Sequence, residues 1–62
     1  MNQVDFDDVV GKSSDEIFAI LHQHYPEACA NIAFYEQQHF PSEEVRYRTA
    51  LDLVVNQVWI ND

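Results

Sequence analysis

The chain has 62 residues, so it holds at most one domain, and at this length folding buries only about 60% of the surface of the unfolded form. Eleven acidic residues against three basic ones give a formal net charge of −8, a field that repels phosphate backbones and anionic lipid and favours a basic partner, so neither direct nucleic-acid binding nor membrane association is expected. Hydrophobic residues at 47% and aromatics at 13% are too many for a disordered chain.

Residues 1–12, MNQVDFDDVVGK, place Asp5, Asp7 and Asp8 around Phe6, with Val9 and Val10 before the only glycine, Gly11. They read as an acidic arm or one helical turn stopped by Gly11, with a short strand as the other possibility. The start lacks a basic segment followed by an apolar one, and the longest apolar run, Ile17 to Leu21, is far below the roughly 20 residues of a membrane span. One cysteine, Cys29, cannot form an internal disulfide and gives no sign of an oxidising compartment. The expected location is therefore the cytoplasm.

Ser13-Ser14-Asp15-Glu16 reads as a helix start, with Ser13 as the cap and Glu16 reaching back in a capping box. At about 100° per residue, Ile17, Phe18, Ile20, Leu21 and Tyr25 fall on one broad side and Glu16, Ala19 and Gln23 on the other. Pro26 ends this helix and opens the next, because a proline disfavours helical geometry in the residue before it yet suits a first helical position. The second helix, expected to run to about His39, carries Ala28, Cys29, Ile32, Ala33 and Tyr35 along one side, with Phe34 opposite. Phe40-Pro41-Ser42 breaks the pattern. Ser42 then caps a third helix, expected to reach about Ile60, with Glu43 and Glu44 in its first turn.

In that third helix Tyr47, Ala50, Leu51, Val54 and Val58 form the core stripe. Val55 and Trp59 flank it on one side, while Leu53 and Ile60 lie well round on the other. One stripe of about 100° is all a small helical domain needs, so Leu53, Val55, Trp59 and Ile60 stand out as surplus apolar surface. Either the N-terminal arm covers them through Phe6, Val9 and Val10, or a second chain does.

Chemistry-bearing patterns are sparse. Glu36 and His39 have the E-x-x-H spacing of carboxylate-bridged metal bundles, but such a site needs two of these motifs and the chain has one. Arg46 or Arg48 is the expected partner of Glu36. His22 and His24 are too close for the i, i+4 metal pairing, His24 is expected at a packing boundary among Ile17 and Ile20, and Cys29 is expected as a small buried hydrophobe. A single glycine excludes a glycine-rich phosphate loop. Lys12, Arg46 and Arg48 are too few for a helix-turn-helix DNA reader. No catalytic set, metal or cofactor is expected.

The sequence thus predicts one all-α domain over residues 1–62: an acidic arm or turn over 1–12, then a three-helix body over 13–62 with helices near 14–25, 26–39 and 42–60, dimerising through the third helix. The expected function is non-enzymatic, a module that regulates or inhibits a partner protein with a basic surface. Its apolar anchors would be Phe34, Leu53, Val55, Trp59 and Ile60, since aromatic and apolar side chains in desolvated spots dominate interface energies. Asp52 and the Asp5 to Asp8 cluster would steer the approach. The alternative is a nucleic-acid mimic of the anti-restriction or anti-CRISPR kind, whose carboxylates, among them Asp5, Asp7, Asp8, Asp15, Glu16, Glu43 and Glu44, occupy a basic groove.

Overall fold

The acidic opening segment turns back onto the body and contributes to its core. The computed structural model describes residues 3–56, and among these every regular element is helical: α1 (Phe6–Val9), α2 (Ser14–His24), a 3-10 turn (Pro26–Ala28), α3 (Cys29–Glu36) and α4 (Glu43–Asn56). The expected three-helix body is therefore preceded by a fourth, single-turn helix. Val58, Trp59 and Ile60 lie outside the described residues.

Local chemistry accounts for the helix boundaries. At α1 the Asp5 amide donates to the Asp8 carboxylate at 3.0 Å, and the turn ends at Gly11, whose φ of +86° is a conformation that residues with a Cβ avoid. At α2 the capping box forms as expected: Ser13 Oγ accepts from the Glu16 amide at 3.2 Å and Glu16 Oε1 accepts from the Ser13 amide at 3.1 Å. Tyr25, at φ −129° and ψ 63°, is the corner before Pro26, and Pro26 opens the 3-10 turn that leads into α3. Ser42 Oγ accepts from the Val45 amide at 3.3 Å at the start of α4. The α3 helix stops at Glu36, short of the expected His39, so Glu36 and His39 do not share a helix face.

The core joins Val4 and Val9 from the N-terminal segment, Ile17, Phe18 and Leu21 from α2, Ala28 and Ile32 from the corner and α3, and Ala50, Leu53 and Val54 from α4. Two tyrosine hydroxyls pin the segment in place: Tyr25 accepts from the Val4 amide and Tyr47 from the Gly11 amide, each at 2.8 Å. Of the three apolar residues expected to cover the body, only Val9 is buried, while Phe6 and Val10 face outward.

Leu53 corrects the expectation for the last helix. It was expected on the outer side as a partner anchor, but it is only 6% exposed and packs in the core. The reason is Arg46, seven residues earlier and so on nearly the same side at about 100° per residue. A helical wheel assigns an arginine to solvent. Here its guanidinium lies 4.8 Å from the centre of the Phe18 ring and finds polar partners on α2, so that side of α4 turns inward and carries Leu53 with it.

Candidate functional site

The helices meet through a chain of polar side chains. Ser14, the first residue of α2, is fully buried. Its amide donates to Glu43 Oε2 at 2.8 Å and its hydroxyl to Glu43 Oε1 at 2.7 Å, so a carboxylate from the first turn of α4 caps the start of α2. Arg46 Nη1 donates to Ser14 Oγ and to Asp15 Oδ1, both at 2.6 Å. Its Nη2 stands 3.9 Å from Glu36 Oε2 on α3, one of the two partnerships, with Arg46 or Arg48, expected from sequence. One guanidinium, with its side chain 20% exposed, therefore ties together α2, α3 and α4.

The two carboxylates that cap α2 are held below the usual carboxylate range. For Glu43 the main cause is the Ser14 amide, followed by the Ser14 hydroxyl and then by the positive charge of Arg46. For Glu16 it is the Ser13 amide, then the Ser13 hydroxyl, with a smaller effect of Lys12. The Ser14 and Glu16 amides at the start of α2 are thus taken by the protein's own side chains. A shallow depression of about 620 Å³ beside it is lined by Gly11, Lys12, Ser13, Glu43, Glu44 and Tyr47.

Beyond Arg46 the chain of contacts continues along Glu36. Glu36 Oε1 lies 2.7 Å from His22 Nε2, and His22 Nδ1 lies 3.3 Å from Cys29 Sγ. Sequence reading missed this arrangement and corrections follow from it. Cys29 was expected in the core and is exposed. His24 was expected at a packing boundary and is exposed, whereas His22 is the engaged histidine. His22 and His24 lie on opposite flanks of the buried arc of α2, Ser14, Ile17, Phe18 and Leu21, and it is the His22 flank that meets Glu36 and Cys29. The available signal was the Pro26 corner, which folds Cys29 back beside the end of α2. Among the described residues no three His, Cys, Asp or Glu side chains are placed to hold a metal ion.

The residues expected to bind a partner separate into three groups. Phe34, at 63% exposure, and Val55, at 62%, stand on the surface, as does Asp52. Leu53 is in the core, and Trp59 and Ile60 lie outside the described residues. The Phe34 ring is braced by an edge-to-face contact with Tyr35 at 5.3 Å between centroids. Val45, Arg48, Asp52 and Val55 share the solvent side of α4 at about 100° per residue, and all four are exposed. The carboxylates Asp5, Asp7, Asp8, Asp15, Glu16, Glu43 and Glu44 are exposed too. Several have inward duties: Asp8, Glu16 and Glu43 accept helix-start amides, while Asp15 pairs with Arg46 and Glu44 with Arg48. No described helix is long and apolar enough to cross a membrane.

Comparison with protein-family models, with curated proteins and with solved structures finds no match for this chain.

Proposed function

We propose that this protein is a non-enzymatic interaction module that regulates or inhibits a partner protein bearing a basic surface. The observation that carries the reading is surplus apolar surface. With ten of the described residues closing the core, Phe6, Val10, Phe34, Val45 and Val55 are still exposed among residues 3–56. Phe34 and Val55 are its anchors, because they are the most exposed of these five and a braced aromatic ring loses little freedom on binding. The partner's charge follows from the net charge of −8, with two of the three basic side chains, Arg46 and Arg48, already paired to carboxylates. Such a field speeds the approach of a cationic surface and weakens with salt.

Mimicry of nucleic acid draws less support, since five of its seven expected carboxylates also hold helix starts or arginines of this chain. The two readings separate by mutation. Phe34→Ser and Val55→Ser, both at exposed positions, should abolish capture of the partner from a lysate of the source cells, while Asp5→Asn, Asp7→Asn and Asp52→Asn should slow association and leave the complex intact. Loss of the complex on the amide changes alone supports mimicry instead, and a partner retained by every variant refutes the apolar anchors. Sedimentation of the free chain tests the accompanying proposal of a homodimer through α4, whose outward apolar residues among those described are Val45 and Val55.

A further inference from the structure

We infer that Cys29 is a site of thiol–disulfide exchange, a thiol whose proton is taken by His22 and which accepts a small disulfide as a covalent mixed adduct. The inference goes beyond the proposed interaction and does not depend on it.

Three placements carry it. Glu36 Oε1 stands 2.7 Å from His22 Nε2. A carboxylate only accepts, so in the neutral ring the proton sits on Nε2 and the lone pair of Nδ1 points away from Glu36. That lone pair faces Cys29 Sγ at 3.3 Å, so the thiol donates to it. Nucleophile, base and orienting carboxylate are thereby lined up in the order that activates a thiol. They come from two elements joined by the Pro26 corner, with His22 on α2 and Cys29 and Glu36 at the two ends of α3. Facing the set from α4 is Arg46, whose Nη2 lies 3.9 Å from Glu36 Oε2 and whose Nη1 is bonded to Asp15. The guanidinium braces Glu36, and Glu36 positions His22.

The substrate class follows from exposure. Acyl transfer requires a cleft and donors for an oxyanion, whereas exchange with a disulfide requires an accessible thiolate and an in-line approach to it. Cys29 is exposed and meets that requirement. In the step, the Cys29 thiol passes its proton to His22 Nδ1 as Sγ attacks one sulfur of the disulfide. A bond forms between the two sulfurs, and the original disulfide bond breaks with its electron pair on the departing sulfur. His22 returns the proton to that sulfur. Cys29 is oxidised, the disulfide is the oxidant, and its second half leaves as a free thiol. With no other cysteine in the chain, the adduct has no internal thiol to resolve it and persists until an outside thiol removes it.

The test uses the full chain and bis(2-hydroxyethyl) disulfide, a neutral probe that the protein's charge does not repel, with the adduct followed by mass spectrometry. At pH 7 the native chain should react about tenfold or more faster than His22→Asn, and the two rates should converge near pH 10, where a thiol ionises without help. Glu36→Gln should fall between them with its helicity unchanged. Should His22→Asn fail to fold, Glu36→Gln and the urea-unfolded native chain serve as references, with the same convergence expected. A ratio that stays the same at both pH values would mean that His22 only controls access, and overturns the inference. So does a native rate at pH 7 equal to that of the unfolded chain, or formation of a dimer linked through Cys29 in place of the mixed adduct.

Discussion

Replacing Arg46 by alanine tests the claim that one cation organises the helix packing. Its Nη1 donates to the hydroxyl of a fully buried serine at 2.6 Å, and a hydrogen bond with a charged partner contributes about 1.5–3 kcal/mol. The stack over the Phe18 ring at 4.8 Å adds about 1 kcal/mol for a cation with little exposure. The Asp15 pair counts for at most about 0.5 kcal/mol, because that carboxylate is 87% exposed and well screened. Ser14 keeps its bond to Glu43 after the change, so no buried donor is orphaned and the lower half of the range applies. The expected loss is therefore about 2.5–3.5 kcal/mol, a large share of the roughly 3–9 kcal/mol that a chain of this length has in total. With a urea dependence of about 1 kcal/mol per molar for so small a protein, the unfolding midpoint should fall by about 2.5–3.5 M, read by far-ultraviolet circular dichroism. Arg46→Lys keeps the charge but loses the planar fork, and should lose about half as much. A shift below about 0.5 M for Arg46→Ala would refute the reasoning and return Arg46 to the surface.

The same titration checks the side of α4 that is buried: Leu53→Ala should cost about 2–5 kcal/mol and Val55→Ala less than about 0.5 kcal/mol, and equal effects would contradict the observed packing. Gly11→Ala should destabilise by about 1 kcal/mol through backbone strain alone, since its φ is +86° and a Cβ there meets no atom within 4 Å; unchanged stability would show that the turn adopts another conformation. Glu16 and Glu43 have folded-state pKa values below the ordinary glutamate value of 4.5, so the unfolded chain takes up their protons first as acid is added. Their contribution is fully present above pH 4.5 and is lost as the pH falls through the folded values. Glu43→Gln should flatten this acid limb of the stability curve, and a limb of unchanged slope would remove Ser14 as the cause of the shift.

Features that depend on a few neighbouring residues were readable from the chain alone. The Ser13–Glu16 capping box, the corner at Tyr25-Pro26, the stop at Gly11 and the Ser42 cap follow from steric and hydrogen-bonding rules that act within about four positions. The buried side of α2 and the outward Phe34 followed from apolar spacing for the same reason. A pairing of Glu36 with Arg46 or Arg48 was legible as a charge match between helices, and the packing selects Arg46. The assignment of Leu53 was not, because a wheel ranks side chains by polarity and has no means of knowing that an arginine will be accepted into the interior by a ring and a hydroxyl on another helix.

The thiol site shows the same division more sharply. The sequence by itself determined that a histidine would end α2, that a proline corner would follow, and that a cysteine would lie just beyond it. Only the tertiary structure decided that His22 and not His24 turns to that corner, that Cys29 stays outside the core, and that Glu36, at the other end of its helix, comes round to hold the imidazole. Local rules set where helices begin and end. Which flank of each helix meets its neighbours depends on how α2, α3 and α4 settle around Phe18, Ser14 and Arg46 together, and that is a property of the packed assembly rather than of any one stretch of chain.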